Sequence, residues 1–342
     1  MKRILPLFLA LALLLTGCAA VSTTESTSQT VSQVDSSSQA SALESASESA
    51  SSQLESAGEV SITDSNGSQI TLDTSAPRVV AAYGSFAEAW LLAGGELCGV
   101  TQDALEQRDL GLPEDIAVVG TVKEPNAEEI IALEPDLVLL ASDITAQADI
   151  RDVLENAGLA CAFFQVDTFA DYAFMMEQLC AVTGREDLYE ENVTQVGQQI
   201  EEAQANAALS STRPNVLLIR AFSTGIKAKT DDELAGAILK DLGAHNIADD
   251  HPSMLEDLSL EEVIAADPDY IFVTTMGDEQ KALDYLNGLI QQNPAWSELS
   301  AVKEDRYIVL PKDLFHYKPN NRWGESYQYL GEILYPELFH EE

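Results

Sequence analysis

The sequence predicts an α/β fold made of two lobes with mostly parallel sheets, joined by one long spanning α-helix. Three observations lead there. First, residues 127–140 have a counterpart 133 positions later, in residues 260–273. Glu128, Glu129, Pro135 and Asp136 of the first stretch recur as Glu261, Glu262, Pro268 and Asp269 of the second. Each stretch reads as a helix, a Pro-Asp stop and an apolar strand. The offset is far longer than a solenoid period and fits two similar lobes. Second, helix and strand patterns alternate through the chain, as parallel sheets require. Third, residues 189–209 are rich in Glu, Gln and Ala and contain no Pro and only Gly197. A helix of about 20 residues reaches roughly 30 Å, enough to cross from lobe to lobe.

The elements follow in order. Lys2 and Arg3 precede an apolar run over residues 4–15, which ends in Leu15-Thr16-Gly17-Cys18. A basic start, a short apolar core and small residues before a cleavage point describe a secretory signal over residues 1–17. The run falls short of the ~20 residues that span a bilayer. The closing cysteine makes the segment resemble a bacterial lipoprotein signal, which implies cleavage before Cys18 and lipid on its sulfur. Two or three acyl chains give stable anchoring where one does not.

Residues 18–58 are the expected tether. From Ala19 to Gly58 the chain is mostly Ser, Ala, Thr, Gln and Glu, with no Lys, Arg, Pro or aromatic residue. Such a segment cannot bury enough apolar surface to offset its ordering entropy. As a coil of ~40 residues it spans on the order of 35 Å.

The folded part begins at residue 59. Residues 60–62 and 69–72 alternate around Asp64-Ser65-Asn66-Gly67, the pattern of a β-hairpin. Residues 78–82 read as a strand, 86–93 as a helix stopped at Gly94-Gly95, 97–100 as a strand and 118–120 as a short strand. The repeated helix–strand unit follows. The second lobe opens with a strand at 215–220 and closes with a strand at 307–310, a loop, and a helix at 323–334. The layout is a Rossmann-like lobe at 59–184, a backbone helix at 185–210 and a second Rossmann-like lobe at 211–342.

The net charge is −39; the signal contributes +2 and the tether −5, leaving −36 on the folded part. So acidic a protein is repelled by nucleic acid and by anionic lipid, and the membrane contact expected is the lipid anchor alone. Cys98, Cys161 and Cys180 sit in apolar surroundings without C-x-x-C spacing. They read as buried free thiols, or as one disulfide plus one thiol, and not as a zinc site.

The order of parts resembles the substrate-binding lipoproteins of ABC importers, in the helical-backbone class that captures ferric siderophores, haem and cobalamin. The resemblance covers about residues 60–335. It rests on the block from Asn126-Ala127-Glu128 to Pro135-Asp136, its second-lobe echo, and Leu314-Phe315-His316-Tyr317 before the last helix. It implies a monomer with a ligand cleft between the lobes, modest closure, and partnership with an ABC permease and its ATPase. One exposed glutamate per lobe docks onto the permease in this family; the matching positions are Glu128 and Glu261. Asn126 with Glu129, and Ser259 with Glu262, form capping-box patterns that give the neighbouring glutamates a structural task.

Ligand-facing residues are expected on loops at strand ends. The candidates are Tyr83, Ser85 and Lys123 from the first lobe. Arg220 and Phe222, placed just past a strand end, come from the second, with Lys227 or Lys229 nearby. The last loop adds Phe315, His316, Tyr317, Lys318, Arg322 and Trp323. These positions concentrate basic and aromatic residues in a chain with only 18 Lys plus Arg. Positive charge and aromatic faces suit a large anionic or π-rich ligand, with a ferric siderophore as first reading. His316 and Tyr317 keep haem open, since haem iron takes a His or Tyr ligand. Cobalamin offers less negative charge to match.

A bare metal ion fits poorly, because His245, His251, His316 and His340 are scattered and no element gathers three ligands. An enzyme finds no support: there is no Gly-x-Ser-x-Gly elbow, no His-Glu-x-x-His and no phosphate loop. A sensor or scaffold lipoprotein on the same fold stays open.

Overall fold

The structure is a computed structural model that describes residues 59–256 and 258–339. The expected signal peptide, Cys18 and the tether lie outside the described residues. Among the described residues no helix is long and apolar enough to cross a membrane.

Strands β1 (Val60–Thr63) and β2 (Gln69–Leu72) pair antiparallel as expected, with Gly67 at φ +80° in the turn. The turn has a second task. Buried Asp64 accepts from the backbone N–H of Asn66 and Ser68 at 2.9 and 2.8 Å and from that of Phe163 at 3.2 Å. Ser65 donates its N–H to the Phe163 carbonyl at 2.9 Å. Phe163 belongs to the edge strand of the first large sheet, so the hairpin covers an edge that would otherwise be open to pairing.

That sheet contains β3 (Val79–Ala81), β4 (Leu97–Val100), β5 (Ala117–Val118), β8 (Leu137–Ala141) and β9 (Ala160–Phe164). Its order is β5-β4-β3-β8-β9, and every pair is parallel. The strand expected at 118–120 is instead two pieces. Gly120, at φ +98°, turns the chain out of β5 into the small hairpin β6 (Gly120–Thr121) and β7 (Glu124–Pro125). A Cβ there would sit 2.4 Å from the Glu124 carbonyl oxygen, so only glycine fits.

The second sheet holds β10 (Asn215–Phe222), β11 (Gly225–Lys229), β12 (His245–Asn246), β13 (Tyr270–Thr275) and β14 (Tyr307–Val309). Its order is β11-β10-β13-β14, with β12 also on β10; only β10–β11 is antiparallel.

The internal repeat is structurally real. Helix α3 (Ala127–Ala132) leads into β8, and its counterpart Leu260–Ala266 leads into β13. The residue before each proline, Glu134 or Asp267, lies at positive φ, 46° and 43°. The aspartate after each proline then anchors the neighbouring strand. Asp136 accepts the Arg78 N–H at 2.7 Å, beside β3, and Asp269 accepts the Asn215 N–H at 2.8 Å, on β10. A carboxylate holding a strand's first N–H sets register in both sheets.

The capping boxes form only in half. Asn126 Oδ1 accepts from Glu128 and Glu129, and Ser259 Oγ from Glu262, but neither glutamate folds back onto its cap. Glu262 instead accepts from the Ser253 hydroxyl at 3.1 Å. The complete box is at Thr168 and Asp171, which open helix α4 (Phe169–Thr183).

The spanning helix runs as Glu186–Tyr189, a π turn at Glu190–Thr194, and Gln195–Ala208. The π turn frees the Asn192 carbonyl, which accepts from the Tyr172 hydroxyl at 3.3 Å.

Alternate residues along the strands face different cores. Leu137 and Leu139 of β8, with Val216 and Leu218 of β10, belong to one core that also takes in Val196, Ile200 and Ala203 of the spanning helix. Val138 and Leu140 face a second core, and Leu217 and Ile219 a third, on the outer faces of the two sheets. One apolar core therefore runs from sheet to sheet along the helix. Cys98, Cys161 and Cys180 are free thiols.

Candidate functional site

The parallel strands of both sheets end toward one region, where loop residues meet. From the first half come Tyr83 after β3, Asp103 and Arg108 after β4, Asp143 after β8 and Asp167 after β9. The second half supplies Arg220 in β10, Gly277 after β13, and Lys312 to Lys318 after β14. Ligands of open α/β sheets collect at such carboxyl ends.

Arg108 is the centre of the first half's contribution. It pairs with Glu88 of helix α1 (Gly84–Leu92), and its Nη2 donates to the Ser85 hydroxyl at 2.8 Å and to the Lys318 carbonyl at 2.9 Å. Sequence reasoning missed it. The signal was present: an arginine in the loop after the strand at 97–100, in a chain poor in arginine. Tyr83 lies beside Arg108, Asp103 and Asp143, and burial, with those two carboxylates, pushes its hydroxyl pKa up to about 12. Burial, then the charge of Glu279, push the Tyr317 hydroxyl pKa up.

His316 follows the short helix Lys312–Phe315. Burial, then the charges of Arg220, Lys312 and Lys318, push its pKa down to about 4, so the imidazole is neutral near pH 7. Its Nδ1 is buried without a hydrogen-bond partner among the described residues. Lys312 donates to the Gly277 carbonyl at 2.6 Å.

Residues 318–321 strap the second half to the first. Lys318 Nζ reaches the Val166 carbonyl and Asp167 Oδ1, the latter at 3.2 Å. Asn320 Nδ2 donates to the Ser85 carbonyl at 2.9 Å and to Glu88 at 2.6 Å, and Asn321 donates to Asn192 at 3.1 Å.

Several expected positions fall elsewhere. Arg220 and Phe222 lie within β10, not past its end, because β11 extends the strand by pairing Phe222 with Gly225. Arg220 pairs with Glu233, and Lys229 pairs with the same carboxylate at 2.9 Å. Ser85 is 1% exposed and holds Arg108, so it supports the site from behind. Phe315 and Trp323 are core residues, each 1% exposed; Trp323 packs edge-on to Phe169, and Phe315 against Tyr329. Arg322 is taken by Asp313 and Glu325 at 2.7 Å each. Lys123 and Lys227 are exposed and make no ion pair among the described residues. Glu128 and Glu261 are exposed at the second position of their helices, with no side-chain partner among the described residues. No group of three metal-ligating side chains occurs among the described residues.

A family model described as "Periplasmic binding protein" matches residues 79–314. The chain belongs to this family. Among curated relatives of this binding protein is the Fe(3+)-citrate-binding protein YfmC of Bacillus subtilis, 26% identical over 76% of this chain and 80% of that one. The high-affinity heme uptake system protein IsdE of Staphylococcus aureus is 22% identical over 65% of this chain and 76% of its own length. Solved structures share the fold. FepB from Veillonella parvula, a TroA-like periplasmic binding protein, has a TM-score of 0.66 at 20% identity, covering 82% of this chain and 91% of that one. Staphylococcus aureus SirA complexed with staphyloferrin B has a TM-score of 0.62 at 19% identity, covering 82% and 99%. The binding protein is thus a two-lobed, extracytoplasmic, substrate-binding member of ABC import systems.

Proposed function

We propose that the chain captures a ferric siderophore, or a similar large iron chelate, between its lobes and delivers it to an ABC permease driven by its ATPase. The observation that carries this reading is the contact of Arg108, which holds Ser85 beside Tyr83, with the Lys318 carbonyl at 2.9 Å, next to Tyr317 and His316, whose rings lie 5.2 Å apart. Hydroxyls, a guanidinium and a neutral imidazole offer hydrogen bonds to chelate oxygens, and the tyrosine rings offer faces to its organic shell. The names of relatives point to ferric chelates and haem.

In this reading residues 1–17 are a signal, Cys18 carries lipid, and 18–58 tether a first lobe (59–184), backbone helix (185–210) and second lobe (211–342). The chain works as a lipid-anchored monomer that binds and does not catalyse. Glu128 and Glu261 dock the permease. Haem is the second reading, favoured by His316, whose neutral ring could serve as an axial ligand.

Calorimetric titration with ferric siderophores, haemin and cobalamin tests the reading. Saturable sub-micromolar binding of a ferric chelate supports it. Haemin alone selects the second reading, and no response removes the iron assignment.

A further inference from the structure

Every partly buried cation at the cleft already has a carboxylate of this chain. Arg108 has Glu88, Arg220 and Lys229 share Glu233, Lys318 has Asp167 at 3.2 Å, and Lys312 has Glu279 at 3.9 Å. Lys229 also reaches Asp232 at 3.1 Å. These five cationic side chains are only 10% to 22% exposed, so their charges are partly stripped of water and matched internally. Asp103 and Asp143 add negative charge beside Tyr83, and His316 adds no positive charge near neutral pH. The cations left without an ion pair among the described residues, Arg78, Lys123, Arg213 and Lys227, are all exposed at the surface.

Resting on the iron-chelate reading above, we propose that the cleft selects an electrically neutral or weakly charged ferric chelate over a polyanionic one, with Glu233 as the residue that sets this preference. The chemistry of ferric shells makes the distinction sharp. Three hydroxamates, each of charge −1, cancel the charge of Fe³⁺, whereas three catecholates, each of charge −2, leave a trianion. A polyanion entering this cleft would displace Glu233 from Arg220 and Lys229, or would lie against Glu233, Glu88 and Asp143. Breaking a desolvated pair leaves a carboxylate without its partner, and like charges brought together are repelled. The chain's net charge of −39 repels a polyanion before contact. A neutral chelate meets neither cost and can use the hydroxyls, rings and carbonyls of the cleft.

The test is a charge series on the full-length chain in detergent. Affinities are measured for a neutral ferric tris-hydroxamate, the same scaffold carrying added carboxylates, a ferric tris-catecholate and ferric citrate, each at low and high salt. The neutral complex is expected to bind at least about tenfold more tightly than each anionic one, with a salt dependence near zero. Glu233→Gln is expected to narrow that preference by about tenfold, since it frees positive charge on Arg220 and Lys229. Should that variant misfold, Asp232→Asn shifts the ratio in the same direction through Lys229 alone, and the wild-type series needs no variant. Tighter wild-type binding of the anionic complexes overturns the charge preference and leaves the iron-chelate reading standing. If no ferric complex binds, the iron-chelate reading fails and this inference fails with it.

Discussion

Arg108 and His316 are held in place by different physics. Arg108 is ordered by Glu88, Ser85 and the Lys318 carbonyl at once, so its loss unpairs a partly buried carboxylate and loosens the interlobe strap. Arg108→Ala is expected to cost about 2–3 kcal/mol in chemical denaturation and to weaken cargo binding at least about tenfold. His316 is held neutral by burial and by neighbouring cations, with its pKa down to about 4. The unfolded chain, with an ordinary His pKa near 6.5, then binds the extra proton between about pH 6.5 and about pH 4. Stability is full above that window and falls as the pH drops through it, by at most ~3 kcal/mol. Denaturation midpoints measured across pH 4–7 should fall less steeply in His316→Gln than in the wild type; parallel curves would show that the imidazole is not held neutral. The site was partly legible at this scale. Residue type and strand-end position put Tyr83, His316 and Tyr317 on segments after strands, where the structure has them, whereas Arg220 lies within β10. Nothing in the sequence showed that Glu233 answers Arg220, or that Trp323 and Phe315 face inward, because both depend on how distant segments pack.

Repeated elements explain why so much of the fold could be read. Apolar runs, Pro-Asp stops and hairpin turns are local signals, and both helix–strand units formed where the pattern put them. The purpose of the repeated aspartates was not visible, since their partners, at Arg78 and Asn215, lie far off in sequence. Asp136→Ala and Asp269→Ala should each cost about 1–2 kcal/mol, and the double substitution should be close to additive, because the two sit in separate sheets. The π turn in the spanning helix was equally hidden: residues 190–194 carry no Pro or Gly to mark it, and Tyr172 and Asn321 hold its Asn192 from outside. The last helix (Trp323–Leu334) packs closely on the spanning helix, where a Cβ at Gly324 would lie 2.1 Å from Gln199 Oε1 and 2.9 Å from its Cβ. Gly324→Ala should therefore lower stability by about 1–3 kcal/mol, read as a lower Tm.

At the scale of the whole molecule, one core follows the spanning helix from sheet to sheet, and the strap at residues 318–321 fixes the second half to the first. Such a body is expected to open little, and it presents the exposed Glu128 and Glu261 at equivalent positions of two helices. Glu128→Ala with Glu261→Ala is expected to abolish uptake in cells while leaving cargo affinity within about twofold, because exposed charges steer and orient more than they stabilise. Unchanged uptake would remove the docking role. The central claim is that cargo is held between strand-end loops of both halves. Titration calorimetry of the full-length chain against Tyr83→Ala with Tyr317→Ala, using the best-bound ferric chelate, tests it most directly. The account predicts saturable sub-micromolar binding by the wild type and a loss of about a hundredfold or more in a double variant that still folds; equal affinity in the two would contradict it.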